Sequence, residues 1–491
     1  MTEAPPGLGQ AMRGAAWMVA MRWVIRLIGL VNTAIIARLL APESFGRMAV
    51  AMIFIDLGCA LFDGDVELAL VRAKRLDDDL LAAGWTVKIL AGSIVFLLLW
   101  ALAPLAARQF ADPELDLLIR VAALRPLLQG FENIAVVEFR RALDFRREFL
   151  YLVAQRLLTF AIGLVLVFSL RSTLALALAG PTTAVSVIVL SYAMAPARPR
   201  LGIKGWRQLW AFSRWQILFN ASRLLSERAD PFIIARWVGA TATGLYAVGF
   251  DLALSPCREI MLPAGRALMP SYARLAGDRA ALRHTFEESV AVALAVGCAA
   301  GLGLACVAGP AVACLLGPQW QDSAALVAWL GGYGTLEGLW LMLDPLLIAS
   351  GRERRLALGN TALALAMAAG VALTIGHYGL TWVPLCRIVI LATVLVCAFL
   401  PLVAEGLVSI RGLAAAAWRP LLASAAMAAA IAAADQSGTI APFLALLRGV
   451  GAGGAAYVAV LLATWRLAGS PPGAERTLLA LVRPARQTAQ P

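Results

Sequence analysis

IIARLLAPESFGRMAV at residues 35–50 returns as IIARWVGATATGLYAV at residues 233–248. The identities Ile35/Ile233, Ile36/Ile234, Ala37/Ala235, Arg38/Arg236, Gly46/Gly244, Ala49/Ala247 and Val50/Val248 share one offset of 198 residues, without a gap. A common register points to internal duplication rather than to chance apolar composition. In both copies an apolar run ends, the chain turns through a polar stretch around a glycine, and a second apolar run begins. The block reads as the tip of a transmembrane helical hairpin. The whole chain reads as two related halves plus a C-terminal addition.

Composition sets the same class. Of 491 residues, 61% are hydrophobic and 15% charged, and mean hydropathy is +0.79. No soluble core buries so much apolar surface, so an all-α polytopic membrane protein is expected. Apolar runs of membrane-spanning length fall near 15–37, 48–70, 81–106, 115–139, 149–170 and 174–195, then 211–235, 244–270, 286–314, 323–350, 356–376 and 379–402, and finally 414–434 and 441–465. The spacing predicts fourteen helices: a six-helix lobe over 1–195, an elbow over 196–210, a second six-helix lobe over 211–402, and a helix pair with a tail over 403–491. Proline, basic residues, Trp206 and Trp210 in the elbow suit a helix lying at the membrane surface, with an ordinary loop as the other reading. Met1 to Gln10 lacks the basic start of a cleaved signal, so the first helix is expected to stay.

The net charge of +12 does not point to nucleic acid, because the cations alternate across the helices. Twenty-four loop lysines and arginines fall on one side, among them Arg72, Lys74, Arg75, Arg140, Arg141, Arg352, Arg354 and Arg355, against five on the other, Arg38, Arg47, Arg108, Arg171 and Arg236. This asymmetry predicts that both termini face the cytoplasm. Seven cysteines without CxxC spacing and only two histidines predict neither a metal site nor a cofactor. Every outward loop is short and no phosphate-binding GxxxxGK[ST] loop occurs. An enzyme of the membrane polymerase or ligase kind is therefore disfavoured.

The informative residues are charges inside the apolar runs, where each costs about 2.5–3.5 kcal/mol at mid-membrane. Gln216, Asn220, Arg223, Glu227 and Asp230 step by four, three, four and three, which draws one polar stripe along the seventh helix. Arg22 and Arg26 share a face of the first helix, and the 198-residue offset sets them against Asn220 and the neighbourhood of Arg223. Two readings fit: a cationic cavity for an anionic substrate, or an internal Arg223–Glu227 pair packed against polar neighbours. The expected substrate-binding set is Arg22, Arg26, Asn220 and Arg223. Glu227, Asp230 and Asp56 are the expected ion-coupling carboxylates. Gly297 and Gly301 predict close helix packing, and Pro126, Pro181, Pro256, Pro263, Pro345 and Pro384 predict interrupted helices.

IIARLLAPESFGRMAVA at 35–51, FDGDVELALVRAKRL at 62–76, the stretch 212–275 that opens FSRWQILFNASRLLSERAD, and LLGPQW at 315–320 resemble the Wzx-type oligosaccharide flippases of the multidrug, oligosaccharidyl-lipid and polysaccharide exporter superfamily. The resemblance implies a MATE-like fold and a lipid-linked oligosaccharide on undecaprenyl pyrophosphate. It implies transfer across the bacterial inner membrane by alternating access, a coupling ion (proton or sodium), and contact with membrane lipids and other polysaccharide-assembly proteins. A drug or metabolite antiporter of the same superfamily and a lipid II flippase are the alternatives. An arginine-rich interior speaks against the first.

Overall fold

The computed structural model describes residues 8–62, 64–73, 76–142, 144–195, 197–275, 277–435 and 441–469, with the side chains of 8–23, 145, 211, 212, 215, 218, 219, 221–223, 225, 226 and 435 outside the description. The described residues form helices, turns and short extended segments, without a β-strand. They divide into two compact units, Met1–Gly244 and Leu245–Pro491.

The first unit holds α1 (Leu8–Leu39), α2 (Pro42–Phe62), α3 (Val66–Arg72), α4 (Asp78–Gln109), α5 (Glu114–Ala122), α6 (Leu124–Gln129), α7 (Val137–Arg141), α8 (Phe145–Leu170), α9 (Thr173–Met194) and α10 (Trp206–Trp237). α1 packs on α8 and α8 on α9, while α2 packs against α4, α5 and α10. The core of this unit is where Val50, Ala51 and Ile55 of α2 meet Val95 and Leu99 of α4 and Leu115, Leu118 and Ile119 of α5. Leu97, Val165 and Val189 point outward at 65%, 64% and 66% exposure. An outer face of that kind is stable in hydrocarbon, where apolar side chains need no protein partner.

The second unit takes in most of α11 (Ala240–Leu275), then α12 (Arg279–Gly297), α13 (Gly303–Cys306), α14 (Ala308–Leu315), α15 (Ala324–Ala349), α16 (Glu353–Tyr378), α17 (Val383–Ala404), α18 (Ile410–Asp435) and α19 (Pro442–Leu467). α15 packs on α12 and α17, α16 on α17, and α18 on α12 and α19. Gly301 carries the tight contact with α15, since a Cβ there would overlap the Gly331 carbonyl oxygen and the Thr335 hydroxyl. The small-residue spacing read from the sequence is therefore a packing device.

Aspartates start the helices that follow three of the arginine-rich loops. Asp77 accepts from the Leu80 amide at 2.8 Å, Asp144 from Arg147 at 3.1 Å, and Asp278 from Ala280 at 3.0 Å. Each satisfies an amide that the helix itself leaves open.

Among the described residues ten segments are long and apolar enough to cross a membrane, which leaves the expected count of fourteen open. The other four runs correspond to α1, the broken stretch from Glu114 to Arg141, α10 and α11. The second run is not one helix: Gly64 and Asp65 adopt left-handed conformations at φ 56° and 49° and separate α2 from α3. The fourth divides into α5, α6, a 3-10 turn (Ile134–Val136) and α7. Pro126 and Pro384 fall in first turns, where a missing amide costs nothing, whereas Pro181, Pro256, Pro263 and Pro345 stand inside helices. The expected surface helix of the elbow does not form, because residues 197–203 are non-helical and α10 begins only after Gly205 at φ 88°. Pro199 disfavours a helix at the residue before it, and Gly202 adds no helix propensity. Trp206 and Trp210 belong instead to the first turns of α10, both about half exposed.

Candidate functional site

In the first unit Ser213, Asn220 and Arg228 of α10 face α2 and the turn after it. Gly64 seats against Ser213, a contact that a Cβ would close at 2.7 Å. The Asn220 amide donates to Asp65 Oδ2 at 3.0 Å, and Gln216 reaches Asn220 Oδ1 at 3.5 Å. About two turns further along, Arg228 pairs with Asp56 Oδ2 at 2.7 Å. Asp56 also feels the positive charge of Arg125 and the negative charge of Glu227. Asp230 is buried at 4% exposure and Glu227 is exposed. The structure thus joins two of the expected residues, Asn220 and Asp56, to partners outside the expected set, Asp65 and Arg228. The side chains of Arg22 and Arg223 lie outside the described residues.

Arg156 of α8 has Arg26 of α1 as a charged neighbour. Arg156 runs along Gly29, where a Cβ would fall 2.5 Å from its terminal nitrogen. Among the described residues no carboxylate pairs with Arg156. Two like charges between packed apolar helices raise the energy of that site, and a multivalent anion between them lowers it.

A separate cluster lies between α3, α4, α6 and α8. Lys88 Nζ stands 2.5 Å from Glu67 and 3.4 Å from Glu132, and the Tyr151 hydroxyl donates to the other Glu132 oxygen. Glu67, Lys88, Gln129 and Glu132 line a cavity of about 160 Å3. Close approach of the helices shapes it: a Cβ on Gly92 would overlap the Pro126 carbonyl oxygen, and one on Gly130 would meet the Ile89 Cα at 2.9 Å.

In the second unit, α11, α15 and α17 assemble a buried cationic cluster. Arg258 grips Glu337 with both nitrogens, at 2.9 and 2.5 Å. The Phe250 ring centroid lies 5.4 Å from the Arg258 guanidinium carbon and 5.1 Å from that of Arg387. Arg387 also stacks over Tyr333 at 4.5 Å and donates to its hydroxyl at 2.8 Å. Arg387 is 5% and Tyr333 3% exposed, so cation–π contact and hydrogen bonding replace lost water. On the same α15, Asp344 buries one carboxylate oxygen without a hydrogen-bond partner among the described residues.

Lys88, Arg156, Arg258, Arg387 and Glu337 all fall within the expected apolar runs, but the sequence does not join them. Helical spacing gives neighbours on one helix only. Opposite charges in separate apolar helices were the available signal, and they do not say which helix faces which. Tyr151 and Phe250 carried no signal.

The family described as polysaccharide biosynthesis protein matches residues 35–325, more than half of the chain. The chain belongs to this family. It is 21% identical over 281 residues to the teichuronic acid biosynthesis protein TuaB of Bacillus subtilis, covering 56% of this chain and 58% of the relative. It is 22% identical to the lipopolysaccharide biosynthesis protein WzxC of Escherichia coli, covering 58% of each chain, and 23% identical to the succinoglycan biosynthesis transport protein ExoT of Rhizobium meliloti, covering 54% of each. The matches thus span a little over half the length of these relatives. Among solved structures, the lipid II flippase MurJ in an inward closed conformation superimposes with a TM-score of 0.71 at 11% identity, covering 93% of this chain and 99% of MurJ. An inward-facing multidrug resistance MATE family transporter gives 0.63 at 15% identity, covering 79% and 98%. The family member described here is thus a multi-pass membrane protein with the fold that MurJ and MATE transporters share.

Proposed function

We propose that the protein is a flippase that turns a lipid-linked oligosaccharide, carried on undecaprenyl pyrophosphate, from the cytoplasmic to the periplasmic leaflet of a bacterial inner membrane for surface polysaccharide assembly. What supports this reading most is the match of residues 35–325 to a polysaccharide biosynthesis family, with Arg26 of α1 and Arg156 of α8 as neighbouring cations within the helices. Guanidinium forks match phosphate oxygens two at a time, and a pyrophosphate relieves the repulsion between them. Membership of a polysaccharide biosynthesis family supports the sugar part of the cargo.

In this reading two six-helix lobes, residues 1–195 and 211–402, alternate in access about the 196–210 elbow, with the 403–491 segment added and both termini cytoplasmic. Arg22, Arg26, Arg223 and Asn220 hold the head of the cargo while its prenyl tail stays in lipid. Asp56, Glu227 and Asp230 take up the coupling ion, a proton or sodium. Ion uptake at Asp56 weakens its hold on Arg228 and frees α10 from α2. No bond of the cargo is made or broken.

The test is the leaflet distribution of lipid-linked oligosaccharide in cells lacking the protein, with and without its re-expression. Accumulation on the cytoplasmic side, relieved by the intact chain, is the expected result. An unchanged distribution sinks the proposal and moves attention to small-molecule efflux or lipid II.

A further inference from the structure

Three separated segments of the second unit converge on one open cavity of about 400 Å3. Arg279 comes from the start of α12, Gly351, Arg352, Arg354 and Arg355 from the α15–α16 turn, and Glu405 from the end of α17. Gly351 makes the turn at φ 69°, a conformation that a side chain would strain. Glu405 accepts from Arg352 and, at 2.5 Å, from Arg355, which fixes both guanidiniums toward the cavity. Arg279 and Arg354 have no hydrogen bond or ion pair among the described residues. Four guanidiniums against one carboxylate leave a formal charge of +3 on the lining. Glu353 opens α16 but does not line the cavity.

Membrane orientation requires cations in these loops, yet it is met by their number alone. It does not require arginines from segments about 70 residues apart to face one space, with two of them clamped in place. Guanidiniums around a hollow are what recognition of a phosphoryl group needs: paired donors and a multivalent positive field, with Arg352 and Arg355 already held in place and Arg279 and Arg354 left with their donors open among the described residues.

We propose that this cavity is a phosphate-binding site, in which Arg279 and Arg354 contact the phosphoryl oxygens while Glu405 keeps Arg352 and Arg355 oriented. The phosphate belongs to a lipid headgroup or to a soluble diphosphate. The site is distinct from the Arg26–Arg156 pair and stands whether or not the protein is a flippase.

The full chain in phosphatidylcholine nanodiscs is titrated calorimetrically with inorganic pyrophosphate, and native mass spectrometry follows lipid retention from mixed phosphatidylglycerol and phosphatidylcholine. The R279A/R354A and R279K/R354K variants are run beside it, the second keeping charge but losing the fork. Wild type is expected to bind pyrophosphate, to retain phosphatidylglycerol selectively, or both, with each variant weaker by about tenfold or more. Pyrophosphate binding alone assigns a soluble ligand, and selective lipid retention alone assigns a headgroup. If wild type shows neither, or if both variants, eluting as monodisperse as wild type, match it in both measurements, the cavity is not a phosphate site.

Discussion

Asp56 Oδ2 lies 2.7 Å from an Arg228 nitrogen, and Asn220 to Asp65 is a second side-chain clasp between the same stretches of chain. As numbering rises along the first stretch it falls along the second, so α2 and α10 run antiparallel, with one clasp on α2 and the other at the turn after it. Removing one partner leaves the other charge against apolar helix. Arg228 is 37% and Asp56 27% exposed in their side chains, so water and screening discount the loss. Asp56→Ala is expected to cost about 1–3 kcal/mol, with the Asp56→Ala/Arg228→Ala double variant costing less than the sum of the singles. Thermal unfolding of the purified protein measures both, and strict additivity would show that the pair contributes nothing.

The duplicated block uses its glycines for contact. A Cβ on Gly46 would overlap the Ala240 carbonyl oxygen, and one on Gly244 the Pro42 carbonyl oxygen. Backbone atoms cannot swing aside as a side chain does. Gly46→Ala and Gly244→Ala are each expected to destabilise by about 1–3 kcal/mol. Gly376 of α16 has nothing within 4 Å of its Cβ position, so Gly376→Ala is expected to be neutral or slightly stabilising. The three melting temperatures, taken together, separate helix propensity from steric overlap.

What the sequence made legible follows from which interactions are local. Run length locates helices because the membrane fixes it, and the steps of three and four along α10 locate a polar face because one helix sets them. The partners that α10 finds, Asp65 for Asn220 and Asp56 for Arg228, lie more than 150 residues away, and no local spacing carries such a pairing. The break between α2 and α3 had a signal in Asp63-Gly64-Asp65, hidden by the apolar residues on either side. The fourth run kept its apolar pattern although its chain divides, since a short helix and a long one bury side chains at the same spacing.

Glu405 gives a pH signature outside the membrane-spanning segments. The hydrogen bond from Arg355 is the largest cause that holds its carboxyl below the usual glutamate range, and burial opposes it. A depressed folded value contributes stability that is complete above the ordinary value of about 4.3 and is lost as pH falls through the lower folded value. The difference in melting temperature between wild type and Glu405→Gln is therefore expected to stay constant from pH 7 to about pH 5 and to shrink on further acidification. A difference that grew on acidification would contradict the ion pairing.

Arg258 and Glu337 form a two-point ion pair in which Glu337 keeps only 14% side-chain exposure. Arg258→Ala strands that carboxylate and also takes a cation from Phe250. A loss of about 3–5 kcal/mol is expected, and Arg258→Ala/Glu337→Gln should recover part of it. Unfolding midpoints in detergent decide. A double variant no more stable than Arg258→Ala would assign the loss to ring stacking rather than to the stranded charge.

Arg26 and Arg156 test cargo recognition rather than stability. Relieving like-charge repulsion should leave folding intact or improve it, so Arg156→Gln is expected to express and melt as well as wild type. A residue that merely packed would leave transport unchanged under those conditions. If the pair receives a pyrophosphate, surface polysaccharide should fall by about tenfold or more in Arg156→Gln, because a two-point guanidinium contact is lost. Arg156→Lys, with the charge but not the fork, should fall between wild type and Arg156→Gln. Quantifying polysaccharide and membrane-inserted protein from the same cells separates the cases. Normal export by a well-expressed Arg156→Gln would remove the pair from the cargo path.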